Sequence, residues 1–248
     1  MRLKIELIST SNIILSVGYN EHIQALIYNL LDTVDADWLH ESGFTFEKRS
    51  FKLFAFSWIL EKGLYDKRNK LFTFPQKVSF FISSPVDWIL SQIAINLIHN
   101  NNMCLKLGTN TVQPYSIEVM TQPLITTDNI LVRALTPVEV HSTLLKADGA
   151  KKTYYYAPLE AEFSDLVNQN LKKKWQALYN NDCPYNIKIT AKRPQSCHEK
   201  IIIFKDTVIK GWKGHFRLSG EPEFLQFALD AGLGSRNSQG FGMTEVIL

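Results

Sequence analysis

The sequence predicts an α+β protein built from two consecutive β-α-β-β-α-β units, residues 1–123 and 124–248, each folding its strands into an antiparallel sheet. Three observations carry this expectation. Residues 1–8 alternate, with Leu3, Ile5 and Leu7 on one face and Arg2, Lys4 and Glu6 on the other, the period-two pattern of a half-buried strand. Each half then holds two stretches of helical periodicity set among strand-like runs, in the same order. Between the halves, Gln122-Pro123 and the polar stretch 126–129 read as a linker. The order is that of the ferredoxin-like fold, the layout that RNA-recognition modules also use.

Taken in order, the first strand gives way to a helix capped by Asn20, with Ile23, Leu26, Ile27, Leu30 and Val34 inward and Tyr28 off that stripe. Residues 35–45 read as a loop holding Trp38, His40 and Gly43, and residues 51–59 as a strand with Lys52 near its start. Residues 77–83 form the next strand. Ser84 caps a helix that opens on Pro85 and buries Ile89, Leu90, Ile93, Ala94 and Leu97. Asn100-Asn101-Asn102 is a turn; residues 103–107 and 115–120 are strand-like, with a bend or hairpin over 108–114.

The second half opens with an extended run over 130–140, interrupted by Pro137, and a short extended piece over 152–156. A long helix over 160–179 turns Phe163, Leu166, Val167, Leu171, Trp175 and Leu178 inward. Residues 186–191 and 200–218 are strand-rich and basic, the second forming a hairpin. Pro222 opens a helix that Gly232 closes, and residues 243–248 end the chain as a strand.

A hydrophobic content of 45% and a charged content of 21% are those of a folded protein with real cores. The most apolar window, 78–98, is broken by Pro85, Asp87, Gln92 and Asn96 and is too polar to span a membrane. The N-terminus has a strand pattern, not that of a signal peptide. Cys104, Cys183 and Cys197 form no paired motif, which points to a reducing, cytoplasmic setting and away from structural zinc.

The net charge of +3 comes entirely from the second half, and residues 186–217 hold eight basic side chains against two acidic ones. Such a field attracts phosphates. A solvated charged face is the plainer reading of the same run.

The most distinctive stretch is Gly232-Leu233-Gly234-Ser235-Arg236-Asn237-Ser238-Gln239-Gly240-Phe241-Gly242. It is neither a Walker loop nor a dinucleotide fingerprint, since it follows a helix and leads into the final strand. Glycines at this density can turn N–H groups toward one concavity, a nest for a phosphate, with Arg236, Asn237 and Ser238 adding charge and hydrogen bonds.

Of the histidines, His22, His99, His141, His198 and His215 lie in or beside regular elements with no partner suggested by spacing. His40 lies in the expected loop, where catalytic groups concentrate. No metal-ligand cluster and no Ser-His-Asp set is legible. Metal-free RNA cleavage uses the ribose 2′-OH as nucleophile and needs a base, an acid and a cation for the phosphorane. His40, Tyr28 and Lys52 are chemically able to supply those parts, although no spacing rule joins them.

Residues 232–246, GLGSRNSQGFGMTEV, fit a C-terminal signature G-h-G-x5-G-h-G. On this motif the chain resembles the CRISPR-associated endoribonucleases that process repeat RNA, the Cas-six family. MRLKIEL, NEHIQALIYNLL, WLHESGF and FKLFAFS also look like that family's first domain, and KGWKGHFRLSG like the strands before its last helix. The resemblance implies two ferredoxin-like domains side by side. It implies a protein that binds CRISPR repeat RNA (pre-crRNA), needs no cofactor, and cuts without metal to leave a 5′-OH and a 2′,3′-cyclic phosphate or 3′-phosphate. By the matching stretches the catalytic residues are Tyr28 in LIYNLL, His40 in WLHES and Lys52 in FKLFAFS. His40 is then general acid or base, Tyr28 its partner and Lys52 the phosphorane stabiliser, with Lys48 an alternative for the cationic role.

RNA contacts are expected from Lys188, Lys192, Arg193, Lys210, Lys213 and Arg217 on the basic strands. The glycine-rich loop adds Gly232, Gly234, Arg236, Asn237, Ser238, Gly240 and Gly242, through RNA binding or the domain interface. Tyr154, Tyr155 and Trp212 read as strand packing more than as stacking platforms. Subunits of a CRISPR effector complex are the further partners implied. A repeat-RNA binding subunit of such a complex, without catalysis, is the alternative function; a structural protein that contacts no nucleic acid is a third reading.

Overall fold

The computed structural model describes residues 1–248 except 100–103, 122, 146–148, 194–196, 206 and 248. The expected turn at Asn100–Asn102, the strand start at Met103, the linker residue Gln122 and the terminal Leu248 lie outside the described residues. The first half runs β1 (Arg2–Ile8), β2 (Ile13–Ser16), α1 (Asn20–Asn29), α2 (Thr33–Glu41), β3 (Phe44–Phe46), β4 (Arg49–Phe51), β5 (Ala55–Phe56), β6 (Leu64–Asp66), β7 (Leu71–Phe74), β8 (Lys77–Ser83), α3 (Asp87–His99), β9 (Leu105–Leu107) and β10 (Asn110–Val119). The second runs β11 (Asn129–Ala134), β12 (His141–Leu145), β13 (Lys151–Tyr155), α4 (Ala161–Tyr179), β14 (Ile187–Ala191), β15 (His198–Phe204), β16 (Thr207–Lys213), β17 (His215–Gly220), α5 (Pro222–Ala231) and β18 (Thr244–Val246).

The two principal sheets are ordered β5-β8-β1-β10-β9 and β14-β17-β11-β18. Numbered within each repeat, both place the second, third, first and fourth strands side by side, the antiparallel ferredoxin-like order, so the fold is a tandem of that unit. The alternation in β1 works as its sequence says: Leu3, Ile5 and Leu7 are fully buried. Each such side chain contributes about 1.5–3 kcal/mol. They pack on Ile23, Leu26 and Ile27 of α1 and Ile89, Leu90 and Ile93 of α3, while Phe163, Val167, Phe216 and Phe224 belong to a second core. Among the described residues no helix is long and apolar enough to cross a membrane.

Several local expectations are corrected. Residues 35–45 are not one loop: α2 spans Thr33–Glu41 and puts His40 in its last turn. Only Leu39 of that helix is buried, so it carries no apolar stripe to read. Polar pins from α3 hold it instead, as Gln92 Nε2 donates to both Asp32 and Asp35 and Asn96 Nδ2 donates to Asp32. The strand expected over 51–59 breaks at Leu53, whose φ of 50° turns the chain between β4 and β5. Asn20 is not the cap of α1 but its first residue, buried, with its side chain donating to Gln239 O at 3.1 Å.

The two halves meet through specific polar contacts. The N-terminal ammonium donates to Asp230 Oδ1 at 3.1 Å, and the buried Arg2 guanidinium donates to Thr244 O at 2.6 Å. The hairpin β15–β16 lies apart from the second sheet and reaches back to the first half, where Ile203 O sits against Gly18. Its Ile202, Phe204 and Ile209 form a third apolar cluster with Phe241 of the glycine-rich loop.

Candidate active site

Three elements deliver Tyr28, His40 and Lys52 to one place. Tyr28 projects from α1 and packs edge-on against the His40 ring, centroids 5.4 Å apart, and against Phe54 at 5.9 Å. Lys52 follows β4, and its ammonium donates to His40 O at 2.8 Å and Ser50 Oγ at 3.0 Å. Gly43 makes this approach possible. A Cβ there would lie 2.6 Å from Phe51 O and 3.1 Å from Lys52 Cδ, and its φ of 58° belongs to glycine. Lys48, the alternative cation, lies at the turn between β3 and β4, whereas Lys52 is the lysine bonded to the His40 carbonyl.

Burial pushes the Tyr28 phenol up to about 12, so at neutral pH it is a proton-bearing donor. Burial lowers the Lys52 ammonium from its usual value. His40 is exposed, and with Tyr28 it lines a cleft of about 620 Å³ that also takes in Gln24, Asn29, Asp37 and Lys205. Lys205 comes from the tip of β15–β16, and sequence reasoning counted it only as part of the basic run. Its φ of 44° marks a tight hairpin turn, and the sequence carried no glycine to announce it.

The glycine-rich loop is built differently from a phosphate nest. Its concavity holds a cation of the protein itself: Lys174 of α4, fully enclosed, donates to Gly232 O at 2.7 Å, Gly234 O at 2.9 Å and Asn237 Oδ1 at 2.6 Å. Burial pushes its pKa down to about 7, and the three oxygens accept its hydrogen bonds. Asn237 is equally occupied, its Nδ2 donating to Leu233 O at 3.0 Å and Phe241 O at 3.1 Å. The glycines are buried because neighbouring atoms stand where side chains would be. A Cβ at Gly242 would lie 1.9 Å from Leu233 O, and one at Gly234 2.3 Å from Glu139 O. Of the two uses expected for Gly232, Gly234, Asn237, Gly240 and Gly242, RNA binding or the domain interface, their inward burial agrees with the second: Gly232 stands against Ala55, and Gly240 against Asn20 and Phe56, of the first half.

Arg236, Ser238 and Gln239 remain at its partly exposed rim. That rim is tied to α1, where Gln24 Nε2 donates to Ser238 O at 2.6 Å. A second cleft, of about 350 Å³, opens between this rim and β4 and is lined by Arg49, Lys52, His141, Lys174 and Arg236 among others.

The basic strands are divided. Lys188 and Arg217 lie exposed on the outer face of the second sheet, on the paired strands β14 and β17, and Lys192 and Arg193 are exposed just beyond β14. Lys210 is paired with Glu199 at 3.1 Å. Lys213 sits 4.8 Å over the Trp58 ring, its pKa lowered by burial and then by Lys200 and Arg133. Trp212 is buried, and the Tyr155 hydroxyl donates to Val208 O at 3.0 Å, so both pack as strand residues.

The chain is similar to known proteins over most of its length. Residues 120–246 match the family model described as CRISPR associated protein Cas6, C-terminal. The chain is 25% identical to CRISPR-associated endoribonuclease Cas6 1 of Methanocaldococcus jannaschii, over 98% of this chain and 91% of that protein. It is 26% identical to CRISPR-associated endoribonuclease Cas6 of Pyrococcus furiosus, over 93% of this chain and 83% of that protein. A solved structure described as the characterization of a Cas6-related gene from Pyrococcus furiosus shares the fold at a TM-score of 0.84 and 20% identity, covering 100% of this chain and 98% of that one.

Proposed function

The chain belongs to the CRISPR-associated Cas6 family, and on that premise we propose that it is an endoribonuclease that binds CRISPR repeat RNA and cuts precursor crRNA without a metal ion. The single observation that carries this reading is a phenol and an imidazole packed together in one open cleft, with the Lys52 ammonium bonded to the backbone carbonyl of the same histidine.

In this mechanism the scissile phosphate lies against Lys52, and the neighbouring 2′-OH attacks phosphorus in line with the departing O5′. The O2′–P bond forms as the P–O5′ bond breaks. His40 takes the proton of the 2′-OH while Tyr28 supplies one to O5′, or His40 supplies the proton to O5′ while water takes the one from the 2′-OH; either way O5′ leaves as a 5′-OH and leaves behind a 2′,3′-cyclic phosphate. Tyr28, still protonated at working pH, donates to a phosphate oxygen or to the imidazole it packs against. The Lys52 ammonium stabilises the extra negative charge on the phosphorane, where a fixed donor acts most strongly. The exposed Lys188, Lys192, Arg193 and Arg217 contact phosphates, which set affinity and register. Arg236 and Ser238 do the same at the loop rim.

The test is His40→Ala under single-turnover conditions with EDTA present. The rate falls about 10²- to 10⁴-fold, while the Kd for repeat RNA changes less than about twofold. An unchanged rate removes His40 from the reaction.

A further inference from the structure

We propose that the cleft beside the glycine-rich loop holds a second phosphate of the RNA, the one flanking the scissile phosphate, and that His141 binds it while Glu139 orients the imidazole. The inference rests on the reading that the substrate is RNA.

The observations begin with Glu139, whose side chain is wholly buried. Burying a carboxylate is costly unless it is paired. Here one oxygen lies 2.5 Å from His141 Nδ1, and the other lies 3.9 Å from Arg236 Nε. That second oxygen and Arg236 Nε are both buried and make no hydrogen bond. The main chain also ties this residue to the loop, the Glu139 carbonyl accepting from Ser235 N at 2.8 Å. The carboxylate accepts from Nδ1–H, which fixes the ring, and in the doubly protonated ring Nε2–H is the donor left for an anion.

His141 is partly exposed, its side chain 27% accessible, and it lines two adjoining clefts of about 350 and 340 Å³. Arg49, Lys52 and Arg236 line the first of these and Arg49 and Lys173 the second. Among the described residues no Asp or Glu lines either one. A concavity whose charged lining groups are all cationic suits an anion. Lys52 belongs both to this cleft and to the Tyr28–His40 cluster, so a strand whose scissile phosphate sits at Lys52 carries its next phosphate toward His141. Holding two successive phosphates fixes the in-line geometry that one cannot.

The experiment is a coupling cycle between protein and substrate. Repeat RNAs carrying a single uncharged methylphosphonate linkage are walked across the positions flanking the cut. Their Kd values are measured for the unmodified protein, His141→Gln and Glu139→Gln. In the unmodified protein one flanking position loses about ten- to a hundredfold in affinity, the worth of a charge-assisted hydrogen bond. His141→Gln binds natural RNA more weakly by a similar factor and shows no further loss at that position, while losses elsewhere persist. Glu139→Gln leaves a neutral acceptor for Nδ1–H in place of the carboxylate and shows part of the coupling. Should His141→Gln fail to fold by circular dichroism, Arg49→Gln on the exposed strand takes its place in the cycle. Losses that simply add at every position overturn the assignment of His141, and full coupling in Glu139→Gln overturns the orienting role. If the unmodified protein cuts repeat RNA while the cycle is additive, only this inference falls. If it neither binds nor cuts, the proposed function falls with it.

Discussion

Replacing Gly242 by alanine isolates how much stability depends on close backbone approach in the glycine-rich loop. Gly242 has φ 69° and Gly149 has φ 78°, so alanine at either site meets the same left-handed penalty of about 1–2 kcal/mol. Only the surroundings differ. Among the described residues a Cβ at Gly149 meets nothing within 4 Å, whereas one at Gly242 lies 1.9 Å from Leu233 O and 2.5 Å from Asn237 Nδ2. Relief requires moving the Leu233 peptide, which donates to Gly242 O at 2.8 Å and accepts from Asn237 Nδ2 at 3.0 Å. Each buried bond left unmade costs about 1–3 kcal/mol. Gly242→Ala therefore destabilises by about 3–8 kcal/mol and Gly149→Ala by about 1–2 kcal/mol, as read from urea unfolding by linear extrapolation. Two variants within about 1 kcal/mol of each other would refute the argument that tight packing, rather than backbone freedom alone, explains glycine here.

Tyr28→Phe keeps the ring contacts with His40 and Phe54, so thermal unfolding stays near that of the parent while the single-turnover cleavage rate drops at least tenfold, an order-of-magnitude expectation for a lost donor. Lys52→Met lowers the cleavage rate about 10²-fold or more, and Lys48→Met leaves it within about threefold, because only Lys52 is bonded beside His40; the reverse order in the same assay would move the cationic role to Lys48. Glu6 is held at about 2 by hydrogen bonds from Lys4, Lys77 and Ser116. Its folded pKa is depressed, so its contribution is fully present above the unfolded value near 4.5 and fades as pH falls toward 2. The stability gap between the parent and Glu6→Gln therefore narrows over that window in acid titrations of unfolding, and a constant gap would contradict the assignment. Affinity for repeat RNA falls linearly with log salt, and the charge-removing pair Lys188→Gln/Arg217→Gln makes that slope shallower.

How legible all this was depended on what holds each element. The ferredoxin-like order could be read because β1, α1, α3, α4 and α5 are held by apolar burial, and periodicity reports burial directly. The helix carrying His40 could not, since Gln92 and Asn96 pin it through Asp32 and Asp35 and only Leu39 goes into the core. The trio itself was named through a resemblance; the sequence alone offered no spacing that joins residues 28, 40 and 52, because three separate elements converge there. The glycine-rich stretch is visible as a motif, and RNA binding and the domain interface are both open to it from sequence. Composition shows that the backbone comes close to something, and not that carbonyls rather than N–H groups point at it. Lys174 lies far away in sequence, inside a helix that reads as amphipathic, and its burial gave no warning. The Glu139–His141 pair was legible only as two residues in alternation at the end of an extended run.

The central claim is that the substrate's own ribose hydroxyl is the nucleophile, positioned by Tyr28, His40 and Lys52. A repeat RNA carrying one 2′-deoxy nucleotide at the cleavage site tests it most directly. The account predicts that this RNA binds with unchanged affinity and is not cut, while the all-ribose RNA gives a 5′-OH and a 2′,3′-cyclic phosphate in EDTA. Cleavage of the deoxy substrate at the normal rate, or products ending in 3′-OH and 5′-phosphate, would contradict it.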